Sequence, residues 1–182
     1  VGKLLARRLE CQFVDTGAMY RTVTWAALDR GIDLDDEAGL TQLTTDLKLR
    51  TNAGETGVSI TVDGLDVTDQ LKRQEIERAV SLVSKVSGVR AALVDLQRAI
   101  ARERPTVMVG RDIGTVVLPN AKLKVFLNAS VEVRARRRHR ELKQRRCKLD
   151  YRRVVDELIR RDSIDSTRND SPLLLAEDAI KI

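Results

Sequence analysis

The segment Val107-Met108-Val109-Gly110-Arg111-Asp112-Ile113-Gly114-Thr115 constrains this chain more than any other. A short, continuous apolar run with β-branched residues at both ends reads as a strand of the buried parallel type. It ends in glycine and passes at once into an adjacent Arg-Asp pair, with Gly114 following two residues after Asp112. In parallel α/β sheets, ligands sit just beyond the carboxyl ends of the strands. A cation and a carboxylate placed there suit a ligand with an anionic part and a donor-rich part. A surface turn closed by a local ion pair would use the same residues.

A chain of 182 residues is long enough for one domain with its own core, with room for a small insert. Aromatic residues make up only 3%, so aliphatic side chains must build that core. The net charge of +6 and the pI near 9.6 favour anionic partners. Single-stranded nucleic-acid binders interleave aromatics with basic residues for stacking. Two Phe, two Tyr and one Trp scattered along the chain argue against that class. Cys11 and Cys147 are far apart and in no metal-ligand spacing, so they read as ordinary thiols of a reducing compartment. The single histidine, His139, lies in a basic run and reads as a solvated helix residue. No apolar run reaches membrane-spanning length and no signal peptide is visible, so a cytoplasmic protein is expected.

Helices and apolar strands alternate along most of the chain. Residues 3–9 read as the tail of a helix and 12–14 as a strand. Asp15-Thr16-Gly17 then opens a helix, with Asp15 or Thr16 as N-cap, that Gly31 ends. Trp25 reads as packing. A short helix covers 36–46. From 47 to 71 the pattern changes to period two (Val58-Ser59-Ile60-Thr61-Val62), with turns at Gly54, Gly57 and Gly64, which predicts a small antiparallel insert. Two helices follow, one striped by Ile76, Val80 and Val83, the other by Leu93, Leu96 and Ile100 with Ser87 as its cap. Leu123 to Leu127 reads as a second largely buried strand, with Lys124 the one polar interruption, and 179–182 as the start of another. The alternation argues for a three-layer α/β sheet.

The last two helices carry the charge. Residues 131–147 hold seven arginines (134, 136, 137, 138, 140, 145 and 146), as a solvated face, a nucleic-acid surface or a phosphate-neutralising lid would. Along 150–168, Val154, Leu158, Arg161, Asp165 and Arg168 share one face. That face changes from apolar to Arg-Asp-Arg, as in a helix running from a core into a polar cleft. An intrahelical ion-pair ladder has the same spacing.

Together these motifs resemble the bacterial cytidylate kinases, which are P-loop nucleoside monophosphate kinases. The likeness rests on Asp15-Thr16-Gly17-Ala18-Met19-Tyr20-Arg21, on Gly110-Arg111-Asp112-Ile113-Gly114-Thr115-Val116-Val117, and on Arg161-Asp162 followed by Asp165 and Arg168. The β-rich stretch 47–71 resembles the subdomain that sets the bacterial type apart from the shorter eukaryotic UMP/CMP kinases. The resemblance implies an α/β fold: a three-layer P-loop kinase-type parallel sheet with flanking helices, a small antiparallel β insert and an Arg-rich helical lid. It implies one domain over 1–182, with a nucleotide-binding insert at about 33–103 and a lid at about 131–150. One departure stands out. The family's Gly-x-x-x-x-Gly-Lys loop is not found here, and Gly2-Lys3 followed by Leu4 is not a remnant of it. The chain is therefore expected to be truncated at both ends, with impaired catalysis.

The activity so implied is phosphoryl transfer from ATP, with Mg²⁺, to CMP or dCMP. Such transfer needs positioning and cations rather than a nucleophile. By resemblance, Ser81, Arg90 and Asp112 read the cytosine. Asp165, with Arg161, takes the ribose hydroxyls. Arg21, Arg111 and Arg168 hold the monophosphate, with Thr16 beside it. Arg134, Arg137 and Arg138 are the lid candidates for charge on the transferred group. No residue is assigned to the ATP cradle or to a metal. The expected partners are small nucleotides, with no nucleic acid, no membrane and a monomeric state. A basic nucleic-acid-binding module and a non-catalytic nucleotide-binding relic are the competing readings.

Overall fold

Asp15 organises the first half of the fold. It ends strand β1 (Gln12–Asp15) and caps helix α2 (Thr16–Asp29), its carboxylate accepting the Ala18 amide at 3.1 Å. In the computed structural model, which describes residues 1–54, 57–144, 150–167, 170–171 and 173–182, β1 is preceded by helix α1 (Gly2–Arg8). β1 runs parallel to the strand predicted from Val107–Val109, with Asp15 opposite Val109. The carboxyl ends of the two strands are therefore side by side. Gly31, at φ +66, turns the chain away after α2, a conformation glycine adopts without steric cost.

Helices α2, α3 (Glu37–Asp46), α4 (Gln74–Ser84) and α5 (Ser87–Glu103) enclose the main core. The predicted α4 stripe, Ile76, Val80 and Val83, is buried, as is Leu93 of α5. Met19, Val23 and Ala27 of α2 join this core, and Trp25 packs against it. Burying each large aliphatic is worth about 1.5–3 kcal/mol. The cap of α5 differs from expectation: Val86 occupies it and Ser87 is already helical.

The insert is antiparallel, as its period-two pattern predicts. Strand β2 (Leu49–Gly54) pairs with β3 (Gly57–Val62), which pairs with β4 (Leu65–Asp66). Ile60 and Val62 turn inward with Leu49, while Ser59 and Thr61 are half-buried.

Two strand expectations need correction. Strand β5 (Thr106–Val109) is half-buried throughout rather than buried, because among the described residues it pairs with β1 alone. The 123–127 strand is reduced to β6 (Val125–Phe126). Its apolar residues Leu123, Val125 and Leu127 are exposed, whereas the Lys124 side chain is only 9% exposed. The segment alternates instead, and the inward face is the lysine's. Its stem lies where a side chain on Gly114 would have to go, and its ammonium bonds both Asp178 oxygens at 2.8 Å. β6 pairs in parallel with β7 (Ile180–Lys181), so the strand expected at the end of the chain does form.

The chain divides into two compact units, Val1–Ile113 and Gly114–Ile182. The second contains a turn of π-helix shared with Ile113 (Ile113–Val117), the β6–β7 pair, and helices α6 (Val131–Gln144) and α7 (Tyr151–Thr167). Ala135, Leu142 and Val154 form its small core, with Tyr151, Val155 and Leu158 against them.

Candidate functional site

The Arg-Asp pair after β5 is split by burial, and the split organises the site. Arg111 stays partly accessible, while Asp112 turns inward to meet Arg90 from the first turn of α5. Nη2 of Arg90 donates to Oδ2 of Asp112, and the two side chains are 4% and 6% exposed. An ion pair so deeply buried recovers its desolvation cost only if other bonds satisfy the remaining polar atoms. Nη1 of Arg90 donates to the Ser84 carbonyl at the end of α4, at 3.2 Å. The guanidinium also lies over the Tyr20 ring, 5.4 Å from its centroid. Nε of Arg90 is buried and has no hydrogen-bond partner among the described residues.

Four elements thus meet at Arg90: its own helix α5, the end of α4, α2 through Tyr20, and the segment after β5. Ser81 lies on α4 one turn before Ser84 and is half-buried; its carbonyl accepts the Ser84 hydroxyl at 3.3 Å. Thr16, the first residue of α2, donates its hydroxyl to the Val109 carbonyl at 3.1 Å. This ties the helix start to the end of β5. The approach is so close that any side chain on Gly110 would collide with the Thr16 hydroxyl and with Ile113. Gly110 is thereby explained: the glycine lets α2 and β5 close up beneath the site. Arg21, on the next turn of α2, pairs with Asp15 at 3.2 Å and remains partly exposed.

In the first unit the structure therefore brings Thr16, Arg21, Arg111 and Asp112 to the carboxyl ends of two adjacent parallel strands. Ser81 and Arg90 come from α4 and α5, whose facing ends supply the Ser84–Arg90 bond. Sequence reasoning missed Tyr20, although the signal was present. It is one of two tyrosines in a chain with few aromatics, and it directly precedes Arg21.

In the second unit, Asp165 of α7 is buried and Arg161, one turn earlier, is half-buried. Of the predicted polar half of that helix face, the two described residues are thus buried or half-buried. The Asp165 carbonyl accepts the Leu173 amide at 2.8 Å. Arg168 lies outside the described residues. Of the lid candidates on α6, Arg134 is held in place. It makes a two-pronged ion pair with Asp162 of α7, at 2.6 and 3.0 Å, and donates Nε to the Ala129 carbonyl. The Asp162 carboxylate raises the Arg134 pKa above its ordinary value. Arg138 pairs with Glu141 at 3.3 Å, and Arg137 is exposed. His139 is not fully solvated: its ring meets Tyr151 edge-on at 5.6 Å.

The family model described as cytidylate kinase matches residues 1–182. The chain is 47% identical over 182 residues to a protein named cytidylate kinase from Geobacillus sp. (strain WCH70), covering 100% of this chain and 81% of that protein. It is 48% identical over 181 residues to the cytidylate kinase of Pelotomaculum thermopropionicum, covering 98% and 80%. It is 48% identical over 180 residues to that of Exiguobacterium sibiricum, covering 99% and 81%. With the match running from end to end, the chain belongs to the cytidylate kinase family.

Proposed function

We propose that this chain binds CMP or dCMP and presents its phosphate to ATP for phosphoryl transfer, giving the diphosphate and ADP. The observation that carries this reading is the buried Arg90–Asp112 pair. Along the edge that cytosine uses in base pairing lie an amino donor, then the ring-nitrogen and carbonyl acceptors. A carboxylate matches the donor, and a guanidinium with an unmatched buried N–H matches an acceptor. Uracil presents an oxygen where cytosine presents the amino group. Against Asp112 that contact is repulsive, so the pair selects by penalty as well as by attraction. Ser81 is assigned to the same base.

Arg21 and Arg111, beside the strand ends, suit a monophosphate through planar, two-pronged donation, and Thr16 stands next to them. Arg168 takes the same role by family likeness. Asp165, with Arg161, is assigned the ribose hydroxyls. Catalysis then consists of alignment and charge neutralisation, to which Arg137 and Arg138 can contribute. Arg134, committed to Asp162, is better suited to holding the lid helix. Among the described residues, no three His, Cys, Asp or Glu side chains are grouped to hold a metal ion. Mg²⁺ is commonly held largely by the substrate's own phosphates, and no step is assigned to a metal ligand of this chain. The domain is read as one catalytic unit with its nucleotide insert at about 33–103 and its lid at about 131–150.

The test replaces Asp112 with Asn and measures CMP and UMP binding by calorimetry. Asn keeps the shape and an acceptor for Arg90, but also offers N–H donors to the uracil oxygen. The CMP preference should fall by about tenfold or more, as expected for one reversed hydrogen bond of ~1–3 kcal/mol. An unchanged CMP:UMP ratio in a folded variant would refute the assignment.

A further inference from the structure

We propose that Tyr20 is a positioning residue for base recognition, and that its ring is the platform that fixes Arg90 in the plane from which it meets the base. This deepens, and rests on, the reading of Arg90 and Asp112 as the cytosine-selecting pair. A guanidinium hydrogen-bonded only at its two outer nitrogens, with Nε carried on a flexible stem, can still tilt about the axis through those bonds. The Ser84 carbonyl holds Nη1 and the Asp112 carboxylate holds Nη2, which leaves the tilt of the plane unset. The Tyr20 ring, 7% exposed and 5.4 Å from the guanidinium carbon, supplies the third constraint. A desolvated cation over an aromatic face is held by the ring's quadrupole as well as by packing. The effect is largest where water is excluded, and Arg90 is 3% exposed.

The placement of Tyr20 in the chain fits this role. It sits on α2 between residues that meet the strand ends: Thr16 one turn before it bonds the Val109 carbonyl, and Arg21 follows it and pairs with Asp15. One helix therefore carries both the ring that orients the base-reading cation and the cation assigned to the phosphate.

The experiment must separate a cation–ring contact from plain core packing. Tyr20 is replaced by Phe, then by 4-fluoro-, 3,5-difluoro- and 3,4,5-trifluorophenylalanine, rings of nearly equal size but progressively weaker negative face. Binding of CMP, UMP and ribose 5-phosphate is followed by NMR titration, with the thermal midpoint of each variant as the control for folding. Tyr20→Phe should retain CMP affinity within about twofold. Along the fluorinated series CMP affinity should fall stepwise, by about tenfold in all. The CMP:UMP ratio should narrow, ribose 5-phosphate binding should stay constant and the thermal midpoint should hold. CMP affinity that is flat across the series overturns the proposal. A parallel loss for CMP and ribose 5-phosphate also overturns it, because it would show that the ring acts on the fold as a whole. A wild-type chain with no CMP preference would instead overturn the underlying assignment of the Arg90–Asp112 pair, and this inference with it.

Discussion

Deleting the Asp112 carboxylate would leave the Arg90 guanidinium buried without its counter-charge. Breaking a buried pair from one side costs about 3–5 kcal/mol, a large part of the total stability of a typical domain. Both Asp112→Asn and Asp112→Ala should therefore lower the urea midpoint of unfolding, and Asp112→Ala more, because it also removes the acceptor that Asn still offers to Arg90. Midpoints unchanged from the wild-type chain would show that the pair is hydrated and contributes little. The contrast matters for function, since loss of nucleotide binding in the alanine variant would report unfolding as much as recognition. At this scale the sequence was informative about identity and poor about environment. It marked Arg90, Arg111 and Asp112 as candidates, yet adjacent Arg111 and Asp112 differ in burial. Spacing alone does not reveal which of two neighbouring charges turns inward. The Arg90–Tyr20 contact joins residues 70 positions apart (90 − 20), beyond any local periodicity.

Among the elements, the helices were the most legible, because a stripe repeated every three or four residues survives in any surroundings. α2 and α3 begin and end close to their predicted positions, α4 and α5 carry their predicted stripes, and Asp15 caps α2 as its side chain suggests. The antiparallel insert was also readable from its alternation. Strands β5 and β6 were readable as strands but not in their burial, because an apolar run states that a strand can be buried and not that something covers it. Lys124 shows the error in one residue: read as an interruption, it points inward and is neutralised by Asp178. Helices α6 and α7 raise a separate question, since charge on both invites a functional reading of every arginine. The Arg134–Asp162 pair is a fixed join between the two helices, and neither side chain is more than about one-third exposed. A double-mutant cycle with Arg134→Ala and Asp162→Ala should give a coupling on the order of 1 kcal/mol in thermal unfolding. Additive effects would release Arg134 from this structural role and return it to the lid candidates.

For the whole molecule, the excess of positive charge, +6, is read as a field that gathers anionic nucleotides. No helix among the described residues is long and apolar enough to cross a membrane. The acid side of the stability profile tests how the charges are distributed. Asp178 titrates below its ordinary value of 3.8, chiefly because Lys124 bonds its carboxylate. Glu132 lies below 4.5 through the Ser130 hydroxyl, and Asp66 below 3.8 through Thr68. A carboxyl with a lowered folded pKa binds fewer protons folded than unfolded, so stability rises with pH across that interval. The contribution is complete above the ordinary value and is lost as pH falls through the folded one. Lys124→Met isolates the Asp178 share, because the bond to the Pro119 carbonyl does not depend on carboxyl titration. The difference in thermal midpoint between the wild-type chain and Lys124→Met should be constant above about pH 5 and shrink steadily below about pH 4. A difference that persists undiminished at about pH 2 would mean that the inward lysine is held by packing and the Pro119 carbonyl alone.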